Sequence, residues 1–188
     1  MGVFPTPVGI YEINYDCQII YENLKSFSTS PHGLLENSQS SYGQESNVLY
    51  DLRMSRLHES IQFCLDDYTS NIGLQPLVVT GSWYNKMDLG SKVNLHRHEG
   101  SVVSGVFYVL AENASPIKFK NPLYPYKMND LYDNIDSEFS TFGIQLIPKT
   151  GNLILFPSWL EHETNEESGK RCVISFNTLY KSIFFPNF

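Results

Sequence analysis

The chain has 188 residues, 41% hydrophobic and 18% charged, a mix that excludes a disordered polymer and supplies the core of one domain. Twenty acidic against thirteen basic residues leave a formal net charge of -7 with no Lys/Arg run, so no nucleic-acid partner is expected. No apolar stretch approaches the ~20 residues of a membrane-spanning helix, and no membrane partner is expected either.

Behind Pro5 and Pro7, residues 8–13 alternate as a first strand. Asp16 can cap a short helix running through Phe27, with Ile19, Ile20 and Leu24 on one face. Residues 28–47 are rich in Ser, Gly, Asn and Gln and predict a long loop or flap. Leu57, Ile61, Cys64, Leu65 and Tyr68 follow the helical period over residues 52–72, and Gly73 stops that helix. After Pro76 the texture changes to short strands at 77–85, 92–98, 102–110, 117–120, 141–147, 152–157 and 171–180. Turn signals at 89–91, 99–100, 113–116, 149–151 and 168–170 separate them. Residues 121–140 form a second long, Tyr-rich connection. The aromatic content of 14% favours the same reading. The expectation is one mainly β domain, an antiparallel double sheet with N-terminal helices packed on it. Residues 1–75 would be the helical support and residues 76–188 the β core.

Cys17, Cys64 and Cys172 make no CxxC pair, and their odd number argues against a disulfide framework. Three reduced thiols in a cytoplasmic setting are expected. The first sixteen residues lack a basic n-region and a long apolar h-region, so no secretory signal is expected.

Of five histidines, His32 lies in the polar loop and His58 on the helix, where solvated or capping roles suffice. His96 and His98 are two apart before the Glu99-Gly100 turn, which directs both imidazoles to one face of a strand. His162 ends the strongly apolar strand 152–157 and the bend after it. Nine residues on, Arg171 opens the last strand and shares a face with Val173, Ser175 and Asn177. An inward arginine in an apolar barrel needs an anionic or polar partner.

An H-x-H pair, a distal histidine and a basic residue about ten positions further on resemble the double-stranded β-helix Fe(II)/2-oxoglutarate oxygenases. A narrower resemblance is to the small 2OG-Fe(II) oxygenase family with an N-x-H-x-H-P-G-S-x-x-S-G-V-Y-Y segment and a later F-P-S-W-L-x-H segment. Here these read Asn94-Leu95-His96-Arg97-His98-Glu99-Gly100-Ser101-Val102-Val103-Ser104-Gly105-Val106-Phe107-Tyr108 and Phe156-Pro157-Ser158-Trp159-Leu160-Glu161-His162. Glu99 stands where that family usually has Pro, and Phe107 also departs. The wider superfamily places a carboxylate where this chain has His98. Three ligand sets are therefore open: His96, His98 and His162; one of the paired histidines with His162 and water; or one of them with His162 and a nearby carboxylate, Glu99 being the closest.

The resemblance implies a jelly-roll fold, Fe(II), 2-oxoglutarate as cosubstrate and O₂ as oxidant. It also implies hydroxylation of a C–H bond with release of succinate and CO₂. Arg171 would pair with the far carboxylate of 2-oxoglutarate, helped by a hydroxyl from Ser175 or Tyr108. Val106, Tyr108, Leu153, Leu155 and Phe156 would form an apolar wall, with alternation turning only half of them inward. Trp83, Asn85 and Asn94 are the candidate substrate residues. The substrate would be a small molecule or a peptidyl residue such as proline, with a homodimer left open. A cupin-like binding module and a three-histidine dioxygenase that does not use 2-oxoglutarate are the competing readings.

Overall fold

The computed structural model describes residues 5–44, 47–127 and 141–184. Part of the predicted connection 121–140 therefore lies outside the described residues. Strand β1 (Gly9–Glu12), helix α1 (Cys17–Leu24) and strand β2 (Leu35–Ser40) come first. Helix α2 (Ser55–Ile72) follows, after two 3₁₀ turns at Val48–Tyr50 and Leu52–Met54. The strands β3 (Leu77–Val93), β4 (Val103–Glu112), β5 (Ile117–Lys120), β6 (Gly143–Leu146), β7 (Asn152–Pro157), β8 (His162–Thr164) and β9 (Lys170–Tyr180) complete the order, with a closing turn α3 (Lys181–Phe184).

The strands form two antiparallel sheets. The larger has the order β1-β7-β4-β9-β3-β2 and the smaller β6-β5-β8. This is the mainly β, jelly-roll architecture expected from the strand spacing. Each face of the large sheet buries its own cluster. On one side Leu153, Leu155, Phe107, Ile174 and Phe176 pack with Ile20 and Leu24 of α1 and Leu57, Ile61 and Leu65 of α2. On the other, Val106, Tyr108, Ile154, Phe156 and Val173 meet Ile117 and Phe119 of the small sheet. Period-2 alternation along β4, β7 and β9 produces this division.

The helices form where their caps allow. The Asp16 side chain accepts from the backbone N–H of Gln18 at 3.0 Å and of Ile19 at 3.3 Å, starting α1. Gly73, at φ +73°, ends α2 in the left-handed conformation. The predicted apolar face of α2 is buried as expected, whereas Ile19 of α1 is exposed and Ile20 and Leu24 carry the contact.

Three expectations are corrected. The stretch 28–47 is not wholly a loop, because β2 lies inside it and pairs along β3. The N-terminal 75 residues, expected as a helical support behind one strand, therefore give the large sheet two strands, the expected β1 and the unexpected β2. The strands expected at 77–85 and 92–98 are one long strand, β3, and residues 94–98 lie beyond it. The Leu89-Gly90-Ser91 signal bends the strand instead of reversing it. Gly90 takes φ +79°, Ser91 Oγ accepts from Asp88 N–H at 3.1 Å, and Ser91 Oγ donates to the Asn37 carbonyl at 2.6 Å.

At Gly105 two chains approach closely. Its strand partner is Phe176, and a Cβ at Gly105 would lie 2.1 Å from that ring. Both strands are fixed by their neighbours, so the ring cannot withdraw. Gly105→Ala is expected to destabilise by about 1–3 kcal/mol, the usual cost of overpacking, read as a lower denaturation midpoint at unchanged slope.

Candidate active site

His96 and His162 meet through an antiparallel bridge. His96 N–H donates to the His162 carbonyl at 3.0 Å, and His162 N–H to the His96 carbonyl at 2.9 Å. His98 N–H donates to the Ser158 carbonyl at 2.9 Å, which ties the H-x-H segment to the bend after β7. The three rings face one another with centroid separations of 5.1 Å (His96–His98), 4.3 Å (His96–His162) and 5.2 Å (His98–His162). One ligand atom from each lies within 4.8 Å of the other two, the arrangement of a shared metal site. His96 and His98 thus point to the same side, as their spacing predicts.

Each Nδ1 is already engaged. His96 Nδ1 lies 2.8 Å from the Asn94 carbonyl and His162 Nδ1 2.9 Å from the Leu160 carbonyl. His98 Nδ1 lies 2.8 Å from Asn177 Oδ1. Carbonyl oxygens only accept, so each Nδ1 carries the proton and each Nε2 keeps a lone pair. Burial pushes all three imidazoles down, His98 to about 4 and His162 to about 3, and the neighbouring His96 adds to this at His98 and His162. All three are neutral near pH 7, the state that binds a metal.

Asn177 is held by a chain of hydroxyls. Ser104 Oγ donates to its Oδ1 at 3.0 Å and lies 2.7 Å from Ser158 Oγ, which donates to Ser101 Oγ at 2.8 Å. The serines of the two motif segments therefore fix the orientation of His98 from outside the metal site. Asn177 was visible in the sequence only as a same-face neighbour of Arg171. Its partnership with His98 depends on β9 lying beside β4.

Glu99 is not among the converging groups. It is exposed on the turn and lies 3.5 Å from Arg97. The imidazoles instead border a cavity lined by Trp83, Asn85, Tyr108, Phe156, Arg171 and Ser175, among others. Trp83 stacks on His98 at 6.0 Å and 24°, and Tyr42 meets Trp83 edge-on at 5.1 Å, so an aromatic wall runs from the histidines outward. Asn85 accepts from Ser40 Oγ at 2.6 Å and donates to Ser175 Oγ at 3.5 Å. Asn94 supplies a backbone carbonyl to His96, and its side chain does not line the cavity. Of the expected apolar wall, Val106, Tyr108 and Phe156 lie on the cavity side and Leu153 and Leu155 on the helix side.

Arg171 is 3% exposed and already has an anionic partner that sequence reasoning missed. Its Nη2 forms an ion pair with Oε1 of Glu167, whose side chain is fully buried. The same nitrogen faces Thr164 Oγ1 at 3.3 Å and Met87 Sδ at 3.2 Å, while Arg171 Nε is buried without a hydrogen-bond partner. Glu167 Oε2 accepts from Ser115 N–H at 2.8 Å. Burial raises the Glu167 carboxyl above its ordinary range, against the pull of Arg171 and of that N–H. The inward arginine therefore does not by itself demand a bound acid.

The residues fit an iron and a keto acid on two observations: three imidazoles with free Nε2 atoms, and a buried guanidinium with an unused donor on the same cavity. Comparison with known proteins agrees. None of the curated proteins matches the chain. Among solved structures, a Pseudomonas putida prolyl-4-hydroxylase superposes with a TM-score of 0.64 at 10% identity, covering 94% of each chain. HygX from Streptomyces hygroscopicus, with nickel and 2-oxoglutarate bound, gives 0.60 at 14% identity over 94% of this chain and 84% of that one. A Trichoplax adhaerens prolyl hydroxylase in complex with a hypoxia inducible factor peptide gives 0.61 at 12% identity, over 93% and 84%. At such identities these show the shared fold. The family described as "Putative 2OG-Fe(II) oxygenase" matches residues 81–177, just over half of the chain and the segment that carries His96, His98, His162 and Arg171. The chain belongs to that family, and is an oxygenase of the non-haem iron and 2-oxoglutarate class.

Proposed function

We propose that the protein is a hydroxylase that holds Fe(II) through His96, His98 and His162 and anchors 2-oxoglutarate through Arg171. One observation carries this reading: three neutral imidazoles with free Nε2 atoms share a cavity with a buried arginine that has an unused donor. When bound, the iron and keto acid supply O₂ activation coupled to oxidative decarboxylation, which yields succinate and CO₂. The chain's own residues position and shield. The hydrogen bonds to each Nδ1 fix the tautomer and aim the rings. Arg171 offers a planar fork to the far carboxylate, beside the hydroxyls of Tyr108 and Ser175. Val106, Tyr108, Ile154, Phe156 and Val173 keep water from the reacting atoms.

The substrate would enter along the Trp83 wall, with Asn85 as a polar contact at its inner end. A peptidyl residue such as proline is the substrate class suggested by the two prolyl hydroxylases of the same fold. A small molecule is the other class, as in the HygX structure with hygromycin B bound. Three unpaired cysteines support a reducing, cytoplasmic setting, and no described helix is long and apolar enough to cross a membrane.

The test uses anaerobically iron-loaded protein, labelled 2-oxoglutarate and then O₂. Slow succinate release without substrate is expected in the wild type and is lost in Arg171→Ala. Iron binding with the keto acid left intact would point instead to a binding module or to a dioxygenase independent of 2-oxoglutarate.

A further inference from the structure

The Arg171–Glu167 pair is built with care. Glu167 is clamped through its backbone, donating to the Ser91 carbonyl at 2.7 Å and accepting from Gly90 N–H at 2.9 Å. Its side chain is held between Arg171 and the Ser115 N–H. A buried guanidinium cannot shed its proton, so without an anion it would be a bare charge in an apolar interior. Glu167 removes that cost before any ligand arrives. It leaves donor capacity unspent, since Arg171 Nε has no hydrogen-bond partner and a guanidinium has five N–H groups to share between two carboxylates.

Charge gives the pair a second meaning. Three neutral histidines contribute nothing to offset iron. With Fe(II) and a 2-oxoglutarate dianion in place these two cancel, and Arg171 would remain as one uncompensated buried positive charge. We propose that Glu167 is the charge-balancing and positioning residue of the cosubstrate anchor: it holds one side of Arg171 and supplies the negative charge that an all-histidine metal set leaves out. This rests on the reading of Arg171 as the cosubstrate anchor. It makes a neutral filled site out of a triad that has no carboxylate.

The test is a double-variant cycle between His98→Asp and Glu167→Gln, read by calorimetric 2-oxoglutarate affinity on the metal-loaded protein without O₂. His98→Asp adds a negative charge to a balanced site, so affinity is expected to fall on the order of tenfold. Adding Glu167→Gln removes one negative charge and is expected to restore most of that loss. A Glu167 that is merely structural predicts the opposite sign, a further loss in the double variant, and that result overturns the proposal. Glu167→Asp keeps the charge and is expected to give no rescue; rescue by it would equally overturn the proposal. Should Glu167→Gln not fold, the pair Glu167→Gln/Arg171→Gln locates the fault. Recovery of a folded protein shows only that the bare guanidinium was the fault; the charge is then varied on the ligand. His98→Asp is expected to weaken the dianion 2-oxoglutarate but not the monoanion 2-oxobutyrate, and an equal loss for both rejects the proposal. Failure of the underlying reading shows separately, as unchanged 2-oxoglutarate affinity in Arg171→Ala.

Discussion

Arg171→Ala is expected to weaken 2-oxoglutarate binding by about 2–5 kcal/mol, the usual cost of truncating one partner of a buried, hydrogen-bonded charge pair. Fe(II) binding should be nearly intact, because Arg171 contributes no atom to the histidine group. Calorimetry under anaerobic conditions checks both, and unchanged affinity for the keto acid would remove Arg171 from its role. The metal-free protein should also lose stability, since Glu167 is left fully buried without its cation and such orphaned charges typically cost about 3–5 kcal/mol. Neutralisation of Glu167 by proton uptake would recover part of this, because burial already raises that carboxyl. Arg171→Lys should restore neither property in full. An ammonium is a point charge and cannot hold Glu167 while presenting a second fork edge to the ligand.

The second large effect is expected at His98. His98→Ala removes one of three converging imidazoles and should lower metal affinity by at least the 10–100-fold that losing an outer partner of a ligand costs. Full iron occupancy in this variant would leave His96 and His162 as a two-histidine site. His98→Asp replaces the imidazole with a shorter anionic ligand and should keep iron, with succinate still formed at saturating 2-oxoglutarate. A His98 that touched only substrate would behave differently. Its alanine variant would keep iron and uncoupled turnover and lose only product formation. Iron content and succinate yield of the two variants are sufficient to decide.

Much of the β core was legible because its strands alternate and its turns are marked. The segments at 102–110, 117–120, 152–157 and 171–180 lie close to β4, β5, β7 and β9. The helix at 52–72 was legible for the same reason, since one apolar stripe faces one sheet. β2 was not, because Leu35–Ser40 is polar and its strand character comes from the backbone of β3 beside it. The turn signal at Gly90 misled because a positive φ serves a bend within a strand as well as a reversal.

The metal candidates followed from spacing together with the family resemblance: two histidines at i and i+2 share a side, and the resemblance joined to them a third, which the structure places at the start of β8. Tertiary structure decided everything that depends on two distant segments meeting. It placed His96 opposite His162 through paired backbone hydrogen bonds and set Asn177 against His98. It turned Glu99 out to solvent, and it buried Glu167 against Arg171. Periodicity reports which side of an element is apolar; it carries no information about which polar atom on another element will meet a buried donor. The counter-ion of Arg171 was therefore beyond the reach of the sequence, because a glutamate in a polar turn reads as solvated until the fold closes around it.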